Sequence, residues 1–186
     1  LHGNQCNYWN SGKVASDESV MIPYAGKKLS SRMMGYWQVR VWDNHGRVSA
    51  WSDVQHFGIG ILKADEWQGV YIGLKDCPSP QLRRTFEVVD SKLTRVLHVA
   101  SLGYHEVYLN GQKVSDDVLA PSVSQLDKTV NSVAYDVTPY IRQGMNDLVI
   151  WLGTGWYREH TFKAVHQGPL VKAELDVLKE GEAMVE

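Results

Sequence analysis

Two of the 21 acidic residues in this 186-residue chain have neighbours that suggest chemistry, Glu106 and Glu159. Cleaving a glycosidic bond takes a pair of carboxylates, one raised in pKa as general acid and one acting as base or nucleophile, roughly 5 to 10 Å apart across the sugar. Glu106 stands between Tyr104 and Tyr108 on one strand face and could look into a groove; the alternative is a solvated edge charge between aromatics. Glu159 is followed by His160, and no motif supplies either acid with a partner. The seven histidines give no metal pattern. His160 and His166 are six apart, unlike the i, i+4 helical pair or the Cys-plus-His spacings of zinc sites. Gly153-Thr-Gly155 is not followed by the Lys-Ser or Lys-Thr of a phosphate loop, and no Gly-x-Ser-x-Gly elbow occurs. Neither a metal nor any other cofactor is expected.

The remaining chemistry is binding. A sugar ring stacks its C–H face on an aromatic side chain while amides and carboxylates take its hydroxyls. Trp156 and Tyr157, beside Arg158 and Glu159, form the best such cluster, with Tyr104 and Glu106 as further candidates. The competing reading is that Trp156 caps the core of its own domain or packs on another domain.

The elements that must position these residues are strands. Leu102-Gly-Tyr-His-Glu-Val-Tyr-Leu-Asn-Gly111 reads as a strand entering a tight hairpin, since Asn110-Gly111 supplies the two positive φ values of a type I′ turn. Thr138 as N-cap, Pro139 at the first helical position and Gly144 as stop predict a single helical turn. Asn146–Leu152 is the next strand, and Gly153–Tyr157 the loop after it. Gln81–Val89 and Leu93–Ser101 alternate as strands, the second with Leu93, Arg95, Leu97 and Val99 on one face. In Leu170–Leu178 the odd-numbered residues form the core face.

Earlier in the chain, Gly35-Tyr-Trp-Gln-Val-Arg-Val-Trp-Asp43 predicts a half-buried strand with Trp37, Val39 and Val41 on one side. Asp43–Gly46 turns the chain, and Val54–Ile59 follows as a strand. Glu18–Pro23 is expected to be a short strand ended by proline. Gly58–Asp65 reads as a junction, which divides the chain into domains 1–62 and 63–186. There is no initiator Met, the first 60 residues hold only about four or five of the roughly seven strands of a sandwich, and a strand restarts at Ala183–Val185, so the chain is expected to continue beyond both ends. The net charge of −2 offers no basic surface for nucleic acid, no run approaches the roughly 20 apolar residues of a membrane span, and 44% hydrophobic residues can fill a core. Cys6 and Cys77 lie far apart and are expected to be free.

The ordered set Leu102-Gly-Tyr104, Leu109-Asn-Gly111, Leu119-Ala-Pro121, Tyr135-Asp-Val-Thr138, Gly144 with Asn146, and Gly153-Thr-Gly-Trp-Tyr157 resembles the N-terminal β-sandwich domain of bacterial α-L-rhamnosidases. The strand Gly35–Asp43 followed by Ser49-Ala-Trp-Ser52 resembles the last strands of a fibronectin type III-like sandwich, which commonly precedes that domain. The resemblance implies an all-β chain of two antiparallel β-sandwiches, the first partial and the second a jelly roll of the galactose-binding kind. It also implies that catalysis belongs to a helical barrel downstream in the same polypeptide, with this part recognising a rhamnose-containing glycan or supporting the barrel. A periplasmic or exported placement would follow from the same resemblance. Two rivals stay open at this point, a stand-alone carbohydrate-binding or adhesion module and an accessory domain of another glycosidase.

Overall fold

The computed structural model describes residues 8–158, 166–179 and 182–185. The chain divides between Ile59 and Gly60 into two compact units, every paired strand is antiparallel, and no helix among the described residues is long and apolar enough to cross a membrane.

In the first unit, β1 (Met34–Trp37) pairs with β2 (Gln55–Gly58), Gly35 opposite Phe57. Gly35 is required there, because a Cβ would stand 2.4 Å from the Phe57 ring. The predicted strand to Asp43 is regular only as far as Trp37. Beyond it the Ser49 and Ser52 hydroxyls accept from the Val41 and Val39 amides, both at 3.1 Å, where a partner strand would offer carbonyls. The two serine amides return bonds to the carbonyls of the same valines, and Trp42 bridges to Val48. Arg40 lies between the rings of Trp42 and Trp51, 5.0 and 4.6 Å from their centroids, which holds this looser stretch together. The turn at Asp43–Gly46 forms as expected, with Asp43 Oδ1 accepting from His45 and Arg47 amides.

Two expectations for this unit fail. Trp37, Val39 and Val41 are 46%, 51% and 65% exposed, so the side expected to be covered is open over about half of its area or more, and the strand ends at Trp37. Glu18–Pro23 forms no strand; Met21 takes φ +57 and interrupts any ladder.

The second unit is a sandwich. One sheet runs β4 (Gln81–Val88), β9 (Gly144–Gly153), β6 (Tyr104–Leu109), β7 (Gln112–Lys113). The other runs β11 (Glu182–Val185), β10 (Leu170–Lys179), β5 (Thr94–Leu102), β8 (Ser132–Asp136), with β3 (Ile72–Gly73) also on β10. Leu97, Val99, Tyr135, Val171 and Leu175 of one sheet meet Val107, Leu109, Ile150 and Leu152 of the other in one core. The hairpin is as read, with Asn110 at φ +52 and Gly111 at φ +81 between paired Leu109 and Gln112.

The odd-numbered core face of β10 is also as read, but its other side is not solvent: Glu174 and Asp176 are 5% and 0% exposed. The backbone amides of Gln68 and Gly69 donate to Glu174 Oε1, Lys172 sits over the rings of Trp67 and Tyr71, and His98 Nε2 lies 3.0 Å from Asp176 Oδ2. β5 is accordingly buried on both faces, Val96, His98 and Ala100 included, as a central strand under a covering segment must be.

The helical turn is present but shorter and earlier, a 3₁₀ turn at Thr138–Tyr140. Thr138 is its first residue and not its cap: its amide donates to Asp136 Oδ1, and its hydroxyl accepts from the Arg95 amide. Gly144, at φ +85, opens β9 instead of ending the turn. Buried Asn146 then ties the corner, accepting from Asn110 Nδ2 and the Arg142 amide while donating to the Arg142 and Gly144 carbonyls.

Candidate functional site

At the end of β9 the chain enters Gly153–Tyr157, and residues Gly155–Arg158 form a 3₁₀ turn where a plain loop was expected. Gly155, at φ +50, lies under the Tyr104 ring, where a Cβ would come within 2.8 Å of ring carbons. Thr154 fixes the turn from below by donating to the Pro78 carbonyl. A 3₁₀ turn points successive side chains about 120° apart. Tyr157 therefore turns inward, 4% exposed, and Trp156 turns out, 53% exposed.

Together with Tyr104, Gly103, Pro121, Ser122, Val123 and Leu126, these two aromatics line a shallow depression that is open to solvent. Among the described residues no carboxylate lines it. Val123 on its edge is 57% exposed, and Val118 and Leu119, earlier in the same segment, are 78% and 66% exposed. Leu119 holds φ +57, a conformation that a branched residue rarely takes and that marks functional loops more often than ordinary ones.

Behind the depression lies a polar chain that the sequence reading missed. His105 is 3% exposed, with Nδ1 2.7 Å from Ser101 Oγ and Nε2 3.0 Å from the Tyr135 hydroxyl. Ser101 donates its one proton to the Gly103 carbonyl. Only one arrangement then satisfies every group: neutral His105 donates from Nδ1 to Ser101, and Tyr135 donates to Nε2. Burial holds His105 down at about 4 and pushes Tyr135 up to about 12. The His105 amide donates to the Ala120 carbonyl at 2.7 Å, which carries the network into the rim loop. Its signal in the sequence was position: His105 alternates with Val107 and Leu109 on the inward face of β6. The Ser–His pair is sealed in the core, with Ser101 0% exposed, so no substrate reaches it.

The six candidate residues thus separate. Tyr104, Trp156 and Tyr157 come together, and Arg158 is exposed at the end of their turn. Glu106 does not line the depression; it accepts from Tyr108 Oη at 2.6 Å and Lys113 Nζ at 2.7 Å. The Lys113 contact, then the Tyr108 bond, holds its carboxyl below the usual range, opposite to what a general acid needs. It is the partnered edge charge. Glu159 and His160 lie outside the described residues, as does Cys6; Cys77 is a free thiol. His166 binds the Gly168 carbonyl, and no group of three His, Cys, Asp or Glu among the described residues could hold a metal.

This geometry meets two family patterns in sequence. Residues 91–182 match the one described as the α-L-rhamnosidase N-terminal domain, and residues 2–63 match the Rha78A-like, N-terminal immunoglobulin domain. An α-L-rhamnosidase of Formosa agariphila is 34% identical over 167 residues, and one of an Alteromonas species is 36% identical over 162. The chain belongs to the α-L-rhamnosidase family. It aligns over 83% and 80% of its own length with these two rhamnosidases and spans 18% of the length of each. The solved α-L-rhamnosidase of Dictyoglumus thermophilum superposes with a TM-score of 0.81 at 28% identity, covering 97% of this chain and 22% of that one. That of Aspergillus terreus gives 0.77 at 28% identity, over 92% of this chain and 22% of that one. The rhamnosidase resemblance read from Leu102–Tyr157 is borne out, and the first segment belongs to the immunoglobulin-like class of sandwich that precedes the rhamnosidase domain.

Proposed function

We propose that this chain is the non-catalytic N-terminal part of an α-L-rhamnosidase, made of domains 1–62 and 63–186, the second a jelly roll. The whole enzyme would release terminal α-L-rhamnose through acidic residues of a helical barrel later in the polypeptide. This part meets the rhamnose-containing glycan, or the barrel, through the end of the second sandwich. The supporting observation is the split of adjacent aromatics, in which Tyr157 anchors the turn in the core while Trp156 stands half-exposed beside Pro121, Val123 and Leu126. Exposed apolar side chains grouped in this way mark contact sites.

The test is Trp156→Ala in the full-length enzyme. Aromatic anchors at contact sites contribute about 2 kcal/mol or more, a factor of about 30. A substrate contact predicts a rise of KM by about that factor with kcat little changed, whereas a barrel contact predicts a lower kcat/KM with a lower melting temperature of the enzyme. Unchanged KM, kcat and melting temperature would remove Trp156 from the working surface.

A further inference from the structure

The outward face of the sheet β4-β9-β6-β7 carries a second aromatic centre. Along β9, Leu148, Ile150 and Leu152 face the core, so Asp147, Val149 and Trp151 face out. Trp151 is 42% exposed, and its indole is fixed by donating from Nε1 to Ser79 Oγ at 2.8 Å. Its cross-strand neighbours are Glu106 on β6 and Gln81 on β4. Strands are spaced by about 4.8 Å, so a pyranose ring laid on the indole meets a carboxylate at one edge and an amide at the other. The carboxylate is already oriented, one oxygen held by Tyr108 and the other by Lys113, and each keeps a lone pair for a sugar hydroxyl.

Around the tryptophan the charges are spent on one another, while Glu87 stays exposed at the far end of β4. Lys113 pairs with Glu106, and Arg83 Nε pairs with Asp147 Oδ1 at 2.7 Å. Such a surface suits an uncharged ligand and gives no field to draw in an acidic or basic one. Nor does it suit a protein partner, since the centres of protein interfaces are depleted in charged groups, and here they adjoin the tryptophan.

We propose that this face, centred on Trp151 and flanked by Glu106 and Gln81, is a binding site for a neutral saccharide. It is distinct from the Trp156 depression and extends the function proposed above to a second surface. A platform of this kind holds polymeric substrate near an enzyme without contributing to bond cleavage.

The experiment is a titration of the 186-residue chain followed by ¹H–¹⁵N NMR, with the Trp151 indole signal assigned by its disappearance in Trp151→Phe. The probes are methyl α-L-rhamnoside and neutral tetrasaccharides of cello-, manno- and galacto-configuration. The Trp151 signal should move saturably with one or more of them. Affinity should fall about 30-fold in Trp151→Ala, as expected of a central aromatic anchor, and largely survive in Trp151→Phe. Trp156→Ala should leave the Trp151 titration unaltered, so failure here and failure of the Trp156 surface are read separately. A Trp151 signal that none of the probes moves would overturn the proposal, as would equal affinity in Trp151→Ala.

Discussion

Lowering the pH from about 6.5 to about 4 should cost the second sandwich about 3 kcal/mol of stability through His105 alone. The folded protein keeps this histidine neutral down to about 4, while an unfolded chain protonates it at its ordinary 6.5. Between those values the unfolded state binds more protons, so stability rises with pH; it is fully present above about 6.5 and lost as pH falls toward 4. The span between the two values, at about 1.4 kcal/mol per pH unit, gives the figure. Structure explains the reluctance: a proton on Nε2 would oppose the Tyr135 hydroxyl proton, which has no second acceptor in the network. Denaturant unfolding of wild type and His105→Gln across this range checks it. The variant should be the less stable at pH 7.5, with the gap closing as pH falls. Parallel curves would show that His105 is not the group responsible.

Tyr157→Ala and Trp156→Ala should differ sharply although the residues are adjacent. Removing the buried Tyr157 side chain leaves a cavity under the turn, and large aromatic deletions in cores cost about 3 to 5 kcal/mol. Removing Trp156, 53% exposed, should change the stability of the chain by less than about 1 kcal/mol. Thermal or chemical denaturation of the two variants side by side decides it. Equal losses would mean that Trp156 is part of the sandwich core and not a contact residue.

That contrast also marks how far the sequence could be read. Two aromatics after two glycines announced a surface of interest, but which one faces out depends on a 3₁₀ turn set by Thr154 and the Tyr104 ring, partners far apart in the chain. The Asn110-Gly111 hairpin was legible because its turn chemistry is local. The core face of β10 was legible because alternation names faces. Alternation does not say whether a second layer exists, which is why it left open the exposure of Trp37, Val39 and Val41 on one strand and the burial of both faces of β5. Thr138 was misplaced because Asp136, two residues earlier, supplies the acceptor that a cap would have given. Glu106 proved to be the edge charge and not a groove acid because Lys113, which reaches it only once the hairpin has closed, joins Tyr108 on its carboxylate.

The central claim, that this part of the rhamnosidase contacts partners and performs no chemistry, is tested most directly by assaying the 186-residue chain alone on an aryl α-L-rhamnoside. Among the described residues the lining of the depression holds no acid, and Glu106 is held ionised by Lys113. No release of the aryl group above the buffer rate is therefore expected at any pH between 4 and 8. Reproducible turnover that disappears when one acidic residue of this chain is replaced by its amide would contradict the account.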